Sequence, residues 1–400
     1  MAKHSALRAG AIALILCAAL ILTAQAALGS WTLSYLDRLA PEGEDEVVKG
    51  LYLTRSALNR PDYLVALGSS ELTFQDQFHA ARLFNDKPTG FGLFAVGAGY
   101  RQSIHNFLVL SALGKDVAGK RIVLFVSPTW FTKDITDKAY QKNYSALQAY
   151  EFVTHAPLSP RLKQRAARRL LQLGSPATDD PLLRNALEAE ANPTPAGQIE
   201  ELAAAPFLRL SLAHQQFKDR WDLARLIVRK DLKPGVRWKH PDGIDWGQLR
   251  QKADDAYAPH AGKNVFGMNQ DFFAKFVEPK LAQVQNSATA ETWLNNSEYD
   301  DLQLVLDTLQ ELKARPLFIS LPINGQYDDF KGHAAGDRHA YYAKVRQEIE
   351  AAGYPLVDLT GHEYDPGYHN DPWHQGWKGS VDIAQAIDDF YHDRLPHAGR

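Results

Sequence analysis

Five short apolar runs, each with a helical pattern beside it, constrain the fold of this chain more than any other feature. They lie at 62–68 (DYLVALG), 91–96 (FGLFAV), 121–127 (RIVLFVS), 315–322 (RPLFISLP) and 354–360 (YPLVDLT). A continuous apolar run without a polar alternate is the pattern of a strand buried on both faces. Helical patterns at 74–84, about 101–114, about 298–314, 337–352 and 378–392 separate them. Strands alternating with helices predict a parallel sheet covered on both sides, an α/β fold.

Between about 135 and 297 the alternation stops. Ala, Leu, Arg and Glu recur at helical spacing, as in SPRLKQRAARRLLQL and LRNALEAEA, with a Pro- and Gly-rich break at 233–243. This predicts a mainly helical insertion, 135–297, dividing the α/β domain into parts at 32–134 and 298–400. A chain of 400 residues is long enough for such a domain. Its net charge of −3 and lack of a basic tail give no sign of nucleic-acid binding. Cys17 is the one cysteine, so neither an internal disulfide nor a cysteine metal cage can form.

The first 31 residues stand apart. Lys3 and Arg8 precede an uncharged stretch from Ala9 to about Trp31, and Glu42, Glu44, Asp45 and Glu46 follow it. About 20 apolar residues span a bilayer as a helix, and the basic flank predicts a cytoplasmic N-terminus with the remainder outside. A cleaved signal peptide is the rival, since Ala24-Gln25-Ala26 matches the small-x-small pattern. The length of the apolar core favours a single-pass anchor. The sequence before Cys17, Leu14-Ile15-Leu16, lacks the small residue expected ahead of a lipidated cysteine.

The candidate chemistry lies at the ends of the predicted strands, where ligands of open α/β sheets bind. Ser69 and Ser70 follow the first strand in LVALGSSEL. One reading makes a serine the cap of the following helix; the other makes it a nucleophile that needs a base and an oxyanion site. Histidines gather at 361–379, where Asp371-Pro372-Trp373-His374 sets a carboxylate three residues before an imidazole. That spacing lets the carboxylate hold one ring nitrogen while the other faces a serine. A metal site on His362, Asp365, His369 and His374 is the alternative, and His79 and His105 are competing bases. Gly97-Ala98-Gly99 closes the second strand, and Ser127-Pro128-Thr129-Trp130-Phe131 closes the third. Both are either simple turns or crevice walls.

Taken in order, an early Gly-x-Ser turn, a glycine turn after strand two and a terminal Asp-x-x-His resemble the plan of SGNH hydrolases, with a flavodoxin-like sheet. The blocks LVALGSSEL, SPTWF, IDWGQLRQKADD, NSEYDDLQLVL, PLFISLPINGQYDDFKG and DPWHQGWKG further resemble, in this order, those of the DltD family, which takes part in D-alanylation of teichoic acids. That resemblance, from the anchor to about residue 380, implies Ser70 as nucleophile and Asp371 and His374 as its partners. Ser69 supports the turn, and the N–H groups of Ser70 and Gly99 are oxyanion donors. Thr129 stands where the family usually has glutamine, and Ser380 where it commonly has tryptophan. The Gly-x-Asn-Asp block of many SGNH enzymes is missing.

The implied activity is transfer of D-alanyl groups, through an ester on Ser70, to a teichoic acid or related envelope polymer. Implied partners are a multispanning membrane O-acyltransferase, a small membrane peptide and a D-alanyl carrier protein; no metal or organic cofactor is implied. An esterase or thioesterase using water as acceptor, and a non-catalytic scaffold that binds the carrier, are the alternatives.

Overall fold

The structure, a computed structural model, describes residues 2–41, 43–73, 76–235, 242–288 and 293–395. Glu42, Phe74, Gln75 and part of the predicted break at 233–243 lie outside the described residues. A helix of 32 residues, α1 (Ala2–Leu33), opens the chain, and short helical segments lead from it to β1 (Tyr63–Leu67). There follow β2 (Gly92–Val96), α2 (Ser103–Leu113) and β3 (Arg121–Val126). Between β3 and the next strand every described regular element is helical, the longest being α3 (Pro195–Arg229). The chain then runs through α4 (Glu298–Glu311), β4 (Arg315–Ser320), α5 (Ala335–Ala351), β5 (Leu356–Asp358) and α6 (Trp377–Tyr391).

The five strands are all parallel, in the order β2-β1-β3-β4-β5. This is the flavodoxin-like doubly wound order, in which the winding direction reverses between β1 and β3 and a crevice opens at the carboxyl ends of those two strands. Period-two alternation decides which face each side chain covers. Val65, Leu67, Phe94, Val96, Ile122 and Leu124 enter one core. Leu64, Ala66, Leu93, Ala95, Val123 and Phe125 enter the other. The first face is covered by α2, α4, α5 and helices of the 137–191 region; Tyr140, Leu147, Phe152 and Leu170 join that same core. The second is covered by Ala80–Leu83 and by Ile383, Ala384 and Ile387 of α6. All eleven residues of α2 are buried, as expected of a helix apolar on every side.

One expectation needs correction. The helix predicted over 74–84 shortens to Ala80–Leu83, followed by a 3-10 turn. Asp76 accepts the N–H of Phe78 at 2.8 Å and that of Trp377 at 2.9 Å. His79 Nδ1 accepts the N–H of Ala81 at 3.2 Å. Side chains that bond nearby backbone in this way compete with the helix ladder. As to the predicted transmembrane helix, among the described residues no helix is long and apolar enough to cross a membrane. Within the uncharged stretch the side chains at 9–11, 13–15, 17, 18 and 22 lie outside those described.

Candidate active site

β1 delivers Gly68 to the rim of the crevice, where its N–H donates to Val96 O at 3.2 Å. Ser70–Leu72 then form a single 3-10 turn. The loop after β2 presses against this turn: a Cβ on Gly97 would lie 2.5 Å from Ser69 O and from Leu72 Cβ. Glycine is therefore required at 97 for the two strand-end loops to meet. Ser69 is buried and makes no capping bond; its hydroxyl donates to Ala98 O at 3.2 Å, tying the two loops together. The capping role considered for this serine pair is thus replaced by a loop-to-loop bond, because only a 3-10 turn follows.

Ser70 points the other way. Its Oγ lies 2.9 Å from Nε2 of His374, and Nδ1 of His374 lies 2.8 Å from Oδ2 of Asp371. The second carboxylate oxygen, Oδ1, accepts the N–H groups of Trp373 at 2.8 Å and His374 at 2.9 Å. A carboxylate only accepts, so Nδ1 carries the hydrogen and Nε2 is left to accept from the serine hydroxyl. Asp371 is buried. Burial acts to lower the His374 pKa, but the hydrogen bond and charge of Asp371, with the charge of Glu71, outweigh it and hold it above its ordinary 6.5.

The loop carrying this pair is braced from several sides. Asn370 N–H donates to His374 O at 2.9 Å, and Asn370 O accepts from Asn269 N–H at 3.0 Å. Trp377 opens α6 against Tyr257, with ring centroids 5.2 Å apart. The helix Trp246–Tyr257 thereby supports the histidine loop from outside the crevice. Ser380 donates to Asp76 Oδ2 at 3.2 Å, the acceptor that also takes Trp377 N–H.

A cavity of about 580 Å³ opens in front of the hydroxyl. Ser69, Ser70, Gly99, Thr129, Trp130 and His374 all line it. Gly97 lies behind, in the contact with the Ser69 turn. Thr129 shares a 3.0 Å hydrogen bond with Ser127, and buried Trp130 has no partner for Nε1 among the described atoms.

The competing histidines are occupied elsewhere. His79 Nε2 donates to Glu71 O at 2.7 Å, and burial pushes its pKa down. His105 accepts from Gln102 N–H at 3.1 Å, bonds Tyr140 O at 3.3 Å, and is pushed by burial to about 3. The four residues of the metal alternative do not converge. His362 pairs with Asp365 at 2.6 Å on the surface, His369 is buried, and His374 is bound as above. Among the described residues no group of three or more His, Cys, Asp or Glu side chains could hold a metal ion.

Two charged residues were missed by sequence reasoning. Glu71 directly follows Ser70, and its Oε1 accepts the N–H of Ser69 in a short contact. Burial raises its pKa, against the pull of the backbone N–H groups of Ser69 and Glu71 and of the charges on His374 and Arg101. Its signal was present in the quoted stretch: a carboxylate on a tight turn needs an N–H partner if it is not solvated. Arg101 is fully buried, its three guanidinium nitrogens have no hydrogen-bond partner among the described atoms, and burial lowers its pKa to about 10 against the pull of Glu71. No local pattern marks it. Tyr100 and Trp373, both exposed, complete the cavity wall, and Tyr100 sits at φ 74 with Lys142 Nζ 4.8 Å from its ring centroid.

Comparison with known proteins supplies an independent line. A family model described as DltD protein matches residues 40–392. Protein DltD of Bacillus subtilis (strain 168) is 32% identical over 347 residues, covering 86% of this chain and 86% of that protein. Protein DltD of Lacticaseibacillus rhamnosus is 29% identical over 387 residues, 95% of this chain and 89% of that one. Protein DltD of Staphylococcus aureus (strain NCTC 8325 / PS 47) is 26% identical over 344 residues, 86% of this chain and 84% of that one.

Proposed function

Because the chain belongs to the DltD family, which functions in D-alanylation of teichoic acid, we propose that it transfers D-alanyl groups to a teichoic acid or related envelope polymer through an ester on Ser70. The observation that carries this reading is the continuous relay from Asp371 through His374 to Ser70 Oγ, at 2.8 and 2.9 Å, facing an open cavity.

In the first half-reaction Ser70 Oγ bonds to the D-alanyl carbonyl carbon while its proton passes to Nε2 of His374. The donor's leaving group departs with that proton. In the second half the acceptor hydroxyl gives its proton to Nε2, its oxygen takes the acyl carbon, and Ser70 Oγ leaves and recovers the proton. Asp371 keeps the ring oriented and stabilises the imidazolium formed in each half. In this SGNH-type scheme the N–H groups of Ser70 and Gly99 receive the oxyanion of each tetrahedral intermediate. Trp130, at the cavity wall and with no partner for Nε1 among the described atoms, is the donor this reading assigns to the bound substrate.

α1 belongs to the same proposal. It holds the catalytic domain at the outer face of the membrane, with the N-terminus in the cytoplasm. The uncharged stretch after Arg8, the unbroken helix over it and the exposed side chains of Ile12, Leu16 and Leu20 support this. A multispanning acyltransferase, a small membrane peptide and a D-alanyl carrier protein are the partners this reading calls for.

Labelling with a fluorophosphonate followed by peptide mass spectrometry tests the nucleophile: the adduct belongs on Ser70, and an adduct on Ser69 overturns the assignment. Transfer of labelled D-alanine to polymer hydroxyls, in competition with water, then separates a transferase from an esterase.

A further inference from the structure

Glu71 directly follows Ser70, and it grips the chain on both sides of that serine. Its Oε1 accepts the N–H of Ser69, the residue before. Its carbonyl accepts from Nε2 of His79 at 2.7 Å, at the start of the helix Ala80–Leu83. The turn between is closed by the N–H of Leu72 on Ser69 O at 3.2 Å and that of Thr73 on Ser70 O at 3.0 Å. Gly68 leaves room for the carboxylate, since a Cβ there would overlap Oε1 of Glu71. A side chain folded back over its own turn in this way fixes where the Ser70 hydroxyl points.

The same carboxylate lies near the histidine. Glu71 and His374 share the wall of the large cavity and, with His79, Gln375 and Ser380, that of a second cavity of about 20 Å³. Asp371 and Ser70 already engage the two ring nitrogens of His374, so Glu71 acts on the ring through its charge. Burial lowers the His374 pKa; the bond and charge of Asp371, and after them the charge of Glu71, hold it above 6.5. Other elements around the ring bring His79, whose pKa burial lowers, and Asp76, which accepts the N–H groups of Phe78 and Trp377. Lys133 and Asp134, of opposite sign, stand in the wall of the large cavity.

Arg101 is the unusual member. It is fully buried, and its guanidinium has no hydrogen-bond partner among the described atoms. Burial lowers its pKa to about 10, and the opposing pull comes from Glu71. A cation buried without a bonded carboxylate costs stability, so Arg101 is not a brace of the Arg338 kind. A positive charge near Glu71 does favour the ionised carboxylate.

We propose that Glu71 is a positioning residue for the reacting pair: its carboxylate holds the Ser70 turn through Ser69 N–H and, with Arg101 as buried counter-charge, joins Asp371 in stabilising the imidazolium formed on His374. This rests on the reading of Ser70 and His374 as nucleophile and base. The charge is in place before the proton arrives, so it needs no reorganisation during reaction.

The test follows fluorophosphonate labelling of the full chain against pH, with the adduct located by mass spectrometry. Glu71→Gln keeps an oxygen for Ser69 N–H and removes the charge. Its acid limb should move down by about one pH unit, the low end for a nearby opposing charge. Its plateau rate should fall about tenfold, the equivalent of one pKa unit. Glu71→Ala also removes the clamp and should label about 10²-fold more slowly still, the scale for a misplaced reacting group. Glu71→Gln strands the Arg101 cation, so its Tm should drop; adding Arg101→Met should restore Tm while the limb stays low. A purely structural role for Glu71 would return both together, which overturns the inference. An acid limb at the wild-type pH in folded Glu71→Gln overturns it too, as does Glu71→Ala labelling as fast as Glu71→Gln. Failure of Arg101→Met to restore Tm removes Arg101 as the counter-charge. A wild-type adduct on a residue other than Ser70 removes the underlying reading and the inference with it, a result seen before any variant is made.

Discussion

Two Asp–His pairs with buried carboxylates, His333–Asp328 and His374–Asp371, are put to different ends. In one, His333 Nδ1 lies 2.6 Å from Asp328 Oδ1. The other oxygen of Asp328 accepts from Arg338 at 3.0 Å, and Arg338 also reaches Glu363 at 2.9 Å and Asp329 at 3.0 Å. Arg338 is fully buried, and its carboxylate partners drive its pKa upward despite burial. In the other pair Asp371 spends its second oxygen on backbone N–H groups, and the far nitrogen of His374 meets a serine beside an open cavity. A carboxylate and an imidazole in contact are thus no evidence of catalysis by themselves. What differs is the third member: a guanidinium locked among carboxylates holds structure, whereas a hydroxyl at a cavity is available to react.

The largest expected effect breaks the comparison at that third member. Ser70→Ala and His374→Ala should fold normally yet lose fluorophosphonate labelling and D-alanyl transfer by roughly 10⁴–10⁶-fold, the scale for removal of a nucleophile or base. His333→Ala should label at close to the wild-type rate; labelling rates of the three purified variants decide it, and loss of labelling in a folded His333 variant would erase the distinction.

Asp371→Asn should cost about 10⁴-fold, since the amide no longer holds the reactive tautomer. Its pH profile sharpens the point. His374 acts as base only when neutral and its pKa is raised, so the acid limb of wild-type labelling should lie above pH 6.5. Removing the Asp371 charge should move that limb downward, and an unmoved limb would mean another group controls it. Stability runs the opposite way. A raised folded-state pKa stabilises the fold below the unfolded value near 6.5, and that contribution fades as pH rises through the folded value.

Arg338→Met probes the structural pair. Leaving Asp328 and Glu363 buried without their cation should cost about 3–5 kcal/mol, read by denaturant unfolding. At low temperature the folded fraction should still label on Ser70.

The smallest effect is expected at Ser69→Ala, which removes one neutral hydrogen bond between the two strand-end loops. About 0.5–1.5 kcal/mol of stability should go, seen as a lower Tm, with labelling retained. Loss of labelling here would place Ser69 in the reaction.

Much of this architecture could be read from local pattern. The five apolar runs became the five strands within one or two residues, as at 121–127 against Arg121–Val126. The helices predicted at 101–114, 298–314, 337–352 and 378–392 became α2, α4, α5 and α6. Apolar periodicity is a local property, and burial on both faces of a parallel sheet leaves little freedom in what such a run can be. The 74–84 helix was misjudged because Asp76 and His79 bond backbone nearby and, in the case of Asp76, across to Trp377, a partner no local window contains.

The amino-acid sequence by itself determined the strands, the two serines at the end of β1 and a carboxylate three residues before an imidazole. Only the tertiary structure decided which serine faces which histidine, because Ser70 and His374 stand 304 positions apart and meet where the loop before α6, a helix packed on the same sheet face as Ala80–Leu83, reaches the end of β1. It alone separated the Asp371 pair from the Asp328 pair, buried Arg101 within electrostatic reach of Glu71, and showed which face of α3 the core leaves uncovered. Each of these depends on what packs against a side chain from a distant segment, and hydrophobic periodicity carries no information about that.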